Sequence, residues 1–331
     1  MGLAPVAVDL NTSSPLRLAA TFRQLHKLVR EVSPQVVNCH RGEGFLLWEG
    51  LRALGHNFAL IRTRGDQRPP KGNLPNRLLH QRADALIATN SRTAHALSQT
   101  LGIAKERIHT ILGGVDEAVF FPDPQGRERV RHEFGFVPEH LVVGLLGRFD
   151  RVKGQLELLQ ALASLRNNSS TPSGIPARLR LLLMGFPTSL EQKDVEDCIQ
   201  QLHLEDVVYI TGKRPDITAC INACDLGVIA SQGSEAIARA AFEIMVCRVP
   251  LIGTDVGVMP DLLDAQALAP TGDAAALESL LLHAAGDPEF RAELARRQSA
   301  RMTGLGSEGF LRRTLSVYAE AMRRRDLSRL T

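Results

Sequence analysis

Two short stretches of the chain carry residue types at spacings that could do chemistry. The first reads Gly147-Arg148-Phe149-Asp150-Arg151-Val152-Lys153-Gly154. It follows an apolar run at 141–146 and leads into an apolar periodicity over 153–166, so it predicts a strand-to-helix turn. A glycine there lets a ligand approach the backbone closely. Arg148 and Lys153 bring a guanidinium fork and a point charge to the carboxyl end of a strand, a combination that grips phosphate oxygens. The plain alternative is a pair of solvated surface cations. The second stretch is GSEAIARAAFEIM, in which Glu235 and Glu243 lie eight residues apart. On a helix over 236–246 that spacing is about 80° beyond two full turns and about 12 Å of rise. Glu235 then sits at the helix mouth, and Glu243 lies among Ala240, Ala241, Phe242, Ile244 and Met245, where a carboxylate needs a partner. The N–H groups of Ala236, Ile237 and Ala238 would form an anion site at the helix start. One carboxylate suits the paired hydroxyls of a ribose and the other a sugar hydroxyl. The competing reading is a first-turn acid and an exposed helix glutamate.

Other chemistries lack their motifs. No Asp-x-Asp, P-loop or H-E-x-x-H occurs, so metal-held nucleotide chemistry is disfavoured and no metal ligands are expected. No G-x-S-x-G elbow supports a hydrolase. The five cysteines include no C-x-x-C, and Cys220 and Cys224, four apart, read as buried apolar thiols.

The elements that must position these residues alternate regularly. Short apolar runs at 5–10, 35–39, 57–61, 85–89 and 108–112 read as strands, separated by helical periodicities over 18–32, 44–54 and 91–101. Three prolines among charges mark 120–140 as a connection, with a short helix near 128–134. A second series follows: strands at 141–146, 179–184, 207–210, 226–230 and 250–253, helices over 153–166, 189–203, 215–223 and 236–246, then a helical tail over 287–325. Such βα succession implies parallel sheets covered by helices, with ligands at the carboxyl ends of strands. With 331 residues, two domains are expected.

Taken together the motifs become specific. GRFDRVKG, TGKRPDITACINACDLGVIAS and GSEAIARAAFEIMVCRVPLIGTDVGVMPDLL, with the ILGGVDEAVFFP segment upstream, resemble the family-4 retaining glycosyltransferases of GT-B fold over residues 84–325, nearest to bacterial cell-envelope enzymes including those of lipopolysaccharide core assembly. The resemblance implies two Rossmann-like α/β domains facing a cleft: an acceptor-side domain at 1–122, a nucleotide-sugar domain at 123–306, and a helix at 307–331 packing back on the first domain. It implies transfer of a sugar from a nucleotide-diphosphate donor to a cell-envelope glycan or lipid-linked acceptor, with retention and without metal or cofactor. Arg148 and Lys153 match the basic pair that binds the donor diphosphate. Glu235 matches the glutamate that contacts the donor sugar, and Glu243 the one that holds the ribose. Gly147, Ser234 and the amides of Ala236, Ile237 and Ala238 match the donor loop, and Gly212–Arg214 the segment beside the base, so Arg214 joins the donor set. His40, Arg62 and Arg64 fall on the acceptor side. Where many relatives carry a histidine, this chain has Arg62, Thr63 and Arg64. The family's first strand, Gly-rich loop and next helix have no match, so the first domain is expected to be incomplete. A non-catalytic nucleotide-sugar-binding relative and a nucleotide-sugar epimerase remain the alternatives.

Charge adds a partner expectation. Residues 1–120 carry 15 Lys/Arg against 9 Asp/Glu, 121–290 carry 14 against 23, and 291–331 carry 10 against 4. The basic ends suit an anionic partner, either a phosphorylated acceptor or peripheral contact with the inner membrane face. The segment RTRGDQRPPKGNLPNR reads as a basic loop facing the cleft. Nucleic acid is not expected, since no aromatics interleave with the arginines. No apolar run approaches the ~20 residues of a membrane span, and no secretory signal is visible, so the cytoplasm is the expected compartment.

Overall fold

The computed structural model describes residues 5–10, 14–66, 68–168, 174–233 and 235–327. They form two compact units, one comprising the chain up to Leu112 with the residues from Leu311 onward, the other Gly113–Phe310. The first unit contains α1 (Pro15–Val32), β1 (Val36–Cys39), α2 (Gly42–Ala53), β2 (Ala59–Arg64), α3 (Leu74–Gln81), β3 (Ala85–Ala88), α4 (Ser91–Leu101) and β4 (Ile108–Thr110). The second runs through α5 (Pro124–Glu133), β5 (Leu141–Leu146), α6 (Gln155–Asn167), α7 (Gly174–Arg178), β6 (Leu179–Met184), α8 (Gln192–Gln201), β7 (Val208–Gly212), α9 (Ile217–Ala223), β8 (Leu226–Ile229), α10 (Arg239–Val246), β9 (Leu251–Thr254), α11 (Met259–Leu262), β10 (Leu268–Ala269), α12 (Ala274–Gly286) and α13 (Pro288–Arg301). The closing helix α14 (Ser307–Leu327) enters the first unit from Leu311.

The first unit is built on a parallel sheet of order β1-β2-β3-β4. Alternate strand residues face opposite sides, so a strand covered on both faces reads as one apolar run. Leu60 and Leu86 pack with Phe45, Leu51, Leu97 and Leu101. Their neighbours Ala59, Ile61, Ala85 and Ile87 pack instead with Val317 and Ala321 of α14. Tyr318 of the same helix accepts a hydrogen bond from Asn38 Nδ2 at 2.8 Å.

Three expectations change here. Residues 5–10 form no strand. Their carbonyls are taken by α1, with Thr21 Oγ1 donating to Asp9 O (2.9 Å) and Gln24 Nε2 to Ala7 O (3.2 Å), while Val8 and Leu10 lie on the core. Their apolar pattern reports burial, not pairing. The basic segment 62–77 is not one loop: β2 continues through Arg64, and α3 starts at Leu74, capped by Asn73 Oδ1 accepting from Asn76 N. The tail is two helices, because Gly304 takes a left-handed φ of 78° between α13 and α14.

The second unit's sheet has the order β10-β9-β8-β5-β6-β7, all parallel. β5 comes first in sequence yet lies between β6 and β8, so successive crossovers leave it in opposite directions. That makes its carboxyl end the switch point where a doubly wound sheet opens a crevice. The unit begins at Gly113, not near 122, because the intervening backbone is bound by α9. Thr218 Oγ1 donates to Val119 O (2.8 Å), Asn222 Nδ2 to Phe121 O (3.0 Å), and Asp123 N to Asn222 Oδ1 (2.8 Å).

Gly154 fixes how closely the β5–α6 turn approaches β8. It has φ 79°, and a Cβ there would collide with the backbone carbonyl of Ala230. Gly154→Ala therefore combines left-handed strain with a backbone clash. It should cost more than about 3 kcal/mol, seen as a melting temperature lowered by on the order of 10 °C or as insoluble expression. Gly174→Ala, with open space around the new Cβ, should leave the melting temperature unchanged.

Candidate active site

The turn after β5 is pinned by its own backbone. Gly147 N donates to Met184 O (2.9 Å) and Phe149 N to Phe186 O (2.8 Å). The Phe149 ring is fully buried, which anchors the turn from below. Asp150 closes the next bend, accepting from Val152 N at its side chain (3.2 Å) and from Lys153 N at its carbonyl (2.8 Å). Buried Gln155 donates from Nε2 to Arg148 O at 2.8 Å. Arg148 and Lys153 thereby leave a rigid frame in different settings. The Arg148 side chain is 55% exposed, 3.9 Å from Asp150, whereas Lys153 is 20% exposed.

Lys153 reaches across the switch point. Its Nζ lies 2.5 Å from Oε1 of Glu235, whose side chain is only 5% exposed. Glu235 stands beyond β8 and is held from several sides. Ser231 Oγ donates to the same Oε1 at 2.5 Å, and Val258 N donates to the Glu235 carbonyl at 2.9 Å. Thr254, at the end of β9, donates from Oγ1 to Ser231 O at 2.5 Å. Gln232 N donates to Val152 O at 2.8 Å, joining the two turns directly. The ends of β5, β8 and β9 thus converge on one buried ion pair. A carboxylate so deeply buried is tolerable only when paired and hydrogen-bonded.

Arg148, Lys153, Glu235 and Glu243 all belong to the second unit, and among them Lys153 and Glu235 touch. Glu235 is not an open helix-mouth acid, because α10 begins later, at Arg239. Ala236–Ala238 form the approach to that helix instead of its first turn, and Ala238 has a left-handed φ of 49°. The two-turn spacing between the glutamates therefore does not hold. Ser234 lies outside the described residues. Glu243 sits half-buried on α10 with no ion pair or side-chain hydrogen bond among the described residues. Burial pushes its carboxyl up, opposed by nearby Arg239.

Arg214 is already committed to carboxylates. Its Nη1 and Nη2 meet Glu133 Oε1 (2.6 Å) and Oε2 (2.8 Å), and its Nε and Nη2 meet Asp216 Oδ1 (2.8 Å) and Oδ2 (3.1 Å). The guanidinium holds both carboxyls below their usual range. It ties α5 to the start of α9, and a ligand would have to compete for it. Neighbouring Lys213 lies 5.9 Å above the ring of exposed Phe186. In the first unit His40 is exposed, while Arg62 and Arg64 are buried in β2, not displayed on a loop. The sequence reading passed over Ser231, Thr254 and Gln155, which support the pair. For Ser231 and Thr254 the one available signal was a small polar residue closing an apolar strand, as in the run VIAS, and Gln155 at the start of α6 carried none.

Comparison with known proteins fits this geometry. The family described as Glycosyl transferases group 1 matches residues 126–301, and the one described as Glycosyltransferase Family 4 matches residues 4–119. A D-inositol 3-phosphate glycosyltransferase of Jonesia denitrificans is 28% identical over 221 residues, covering 61% of this chain and 49% of its own length. The N-acetyl-alpha-D-glucosaminyl L-malate synthase of Bacillus anthracis is 25% identical over 197 residues, covering 57% and 47%. The chain thus spans about half the length of these relatives. Among solved structures, Anabaena Alr3699/HepE in complex with UDP superimposes with a TM-score of 0.75 at 22% identity, covering 94% of this chain and 84% of that one. A glycosyltransferase from Rickettsia africae gives a TM-score of 0.79 at 17% identity, covering 96% and 84%. At such identities the structures establish the fold. The family match spans more than half of the chain, over the unit that holds the buried pair, and the chain belongs to the Glycosyl transferases group 1 family.

Proposed function

We propose that the chain transfers a glycosyl group from a nucleotide-diphosphate sugar to a hydroxyl-bearing acceptor, with retention of configuration and without a metal. The observation that carries this reading is the Lys153–Glu235 pair at the switch point of the second sheet. As the glycosidic bond breaks, negative charge builds on the departing diphosphate. A cation fixed there before the reaction lowers the barrier without reorganising. Glu235 fixes that cation. Its Oε1 takes both Lys153 and Ser231, and Oε2, unbonded among the described residues, accepts a donor-sugar hydroxyl. Arg148, exposed on the same turn, closes over the phosphates as a second cation. Glu243 holds the ribose hydroxyls in this reading, and its lack of a side-chain partner gives them an acceptor.

The relatives' names mention D-inositol 3-phosphate and L-malate, both small hydroxyl compounds with negative charge. They support an anionic acceptor, a class that still includes a phosphorylated cell-envelope glycan or lipid-linked chain. Action at the cytoplasmic face of a membrane belongs to the same reading. No helix among the described residues is long and apolar enough to cross one.

A thermal-shift screen of UDP-, GDP- and ADP-sugars identifies the donor, and release of nucleoside diphosphate on adding acceptor tests the reaction. Binding without release would sink the transferase reading in favour of a non-catalytic relative, and acceptor-free interconversion of sugars would favour an epimerase. Lys153→Met removes a charge-assisted contact of about 1.5–3 kcal/mol and should cut donor turnover tenfold to hundredfold. It also leaves Glu235 buried and unpaired, costing about 3–5 kcal/mol of stability. Adding Glu235→Gln should restore the melting temperature but not turnover. Recovery of both, or of neither, contradicts the paired role.

Glu243→Gln should trade stability against binding. A carboxyl whose pKa is higher folded than unfolded destabilises the fold once it ionises. The glutamine variant should therefore melt higher than wild type at pH 7, with the gain vanishing below about pH 4, where both states are protonated. Donor affinity should fall by about tenfold. Unchanged donor affinity would remove Glu243 from the site.

A further inference from the structure

The first unit contains a second concentration of buried polar groups, at the carboxyl end of β2. Arg62 and Arg64 are alternate residues of that strand, so their side chains leave the same face. They are 4% and 8% exposed. Arg62 Nη1 donates to Cys39 O (2.9 Å) and Thr63 O (2.7 Å), both carbonyls, while its Nε is buried with no partner among the described residues. Arg64 Nη2 donates to Asp66 Oδ1 at 3.0 Å and to the carbonyl of Arg68. Asp66 is 48% exposed, and Glu43, the other acid acting on Arg62, is exposed as well. Two guanidiniums are thus buried on one face of β2, Arg64 with a half-exposed acid beside it and Arg62 with carbonyl oxygens alone among the described residues. Burial, and after it the field of Arg64, disfavour the charged form of Arg62, and a buried cation short of counter-charge is costly.

His80, at the end of α3, completes the group. It is 5% exposed and stands edge-on to Phe45, with ring centroids 5.1 Å apart. Its Nδ1 lies 2.8 Å from the Asn76 carbonyl, so Nδ1 carries the hydrogen and the neutral ring presents a lone pair at Nε2. That Nε2 is buried and unpartnered among the described residues. Burial, and with it the fields of Arg62 and Arg64, lower the ring's pKa, against the Asn76 hydrogen bond, which raises it. Arg62 and Arg64 leave β2 on the face of Leu60, which packs with Phe45, and His80 stands against that same ring, so the unfilled N–H donor on Arg62 and the unfilled acceptor on His80 lie on one side of the sheet.

We propose that Arg62, Arg64 and His80 form a phosphoryl-recognition site, in which the guanidiniums take the anionic oxygens and His80 Nε2 accepts an O–H from the same ligand. A carboxylate satisfies the guanidiniums but brings no O–H at neutral pH, whereas a phosphate monoanion brings both. Identifying this phosphoryl as part of the glycosyl acceptor rests on the transferase reading above. The anion site itself does not.

The test is titration of the whole chain with inorganic phosphate, sulfate and glycerol 3-phosphate, with UDP saturating so that the second unit's basic turn is occupied. Phosphate should bind and raise the melting temperature, sulfate should bind at least tenfold more weakly for want of an O–H, and His80→Phe should erase that preference. Arg62→Lys keeps the charge but loses the fork, and Arg64→Met loses the charge. Each should lower phosphate affinity at least tenfold, with UDP affinity close to wild type. Glycerol 3-phosphate binding with no retention on phosphatidate vesicles places the phosphoryl on a soluble acceptor, and vesicle retention lost with Arg64→Met places it on a lipid. Phosphate affinity indifferent to both arginine variants, while UDP still binds, overturns the site and leaves the transferase reading standing. Phosphate binding that follows the arginines in a chain that binds no nucleotide overturns the transferase reading and leaves the site.

Discussion

A charge removed from water has to be met by another charge or by a set of hydrogen bonds, and this constraint organises the second unit. Lys153 and Glu235 are far apart in sequence, yet each is the condition for the other's burial. Their meeting requires the β5–α6 turn and the loop after β8 to lie in contact, which Gly154 permits by presenting no side chain to the Ala230 carbonyl. It also requires the loop after β8 to be held down. The hydrogen bond from Thr254 Oγ1 to Ser231 O and the one from Val258 N to Glu235 O do this from β9 and beyond. The result is a cation whose position is set before any ligand arrives, which is the condition for stabilising charge that develops only during reaction.

Elsewhere in the same unit the rule is applied to architecture. Asp225 receives Arg127 at 2.5 Å and Arg131 at 3.1 Å, fastening α5 to the start of β8. Arg214 closes its fork on Glu133 and Asp216. These arginines have their acids beside them. Arg62 in the first unit does not: carbonyl oxygens are its only hydrogen-bond acceptors among the described residues. That contrast sets Arg62 apart from the arginines that fasten the second unit.

Much of the architecture was legible as periodicity. The strands at Leu141–Leu146 and Leu179–Met184 and the helix Ser91–Leu101 stand where the apolar spacing put them, because each is long, regular and bounded by strong signals. Errors arose where apolar pattern and hydrogen bonding part company. Residues 5–10 are apolar enough for a strand, but α1 side chains take their carbonyls. The Arg-rich stretch after residue 61 read as a loop, since arginines followed by Pro and Gly give no hint that strand β2 continues through Arg64.

The sequence alone determined the two βα series and the turn that brings Arg148 and Lys153 to a strand end. These are local properties, written in composition and spacing. Only the tertiary structure decided that Glu235 turns inward to Lys153, that α10 waits until Arg239, that Arg214 is engaged by acids, and that Arg62 and Arg64 are buried. Whether a charged side chain ends in water or in protein depends on what the rest of the chain stacks over it, and no local spacing carries that information.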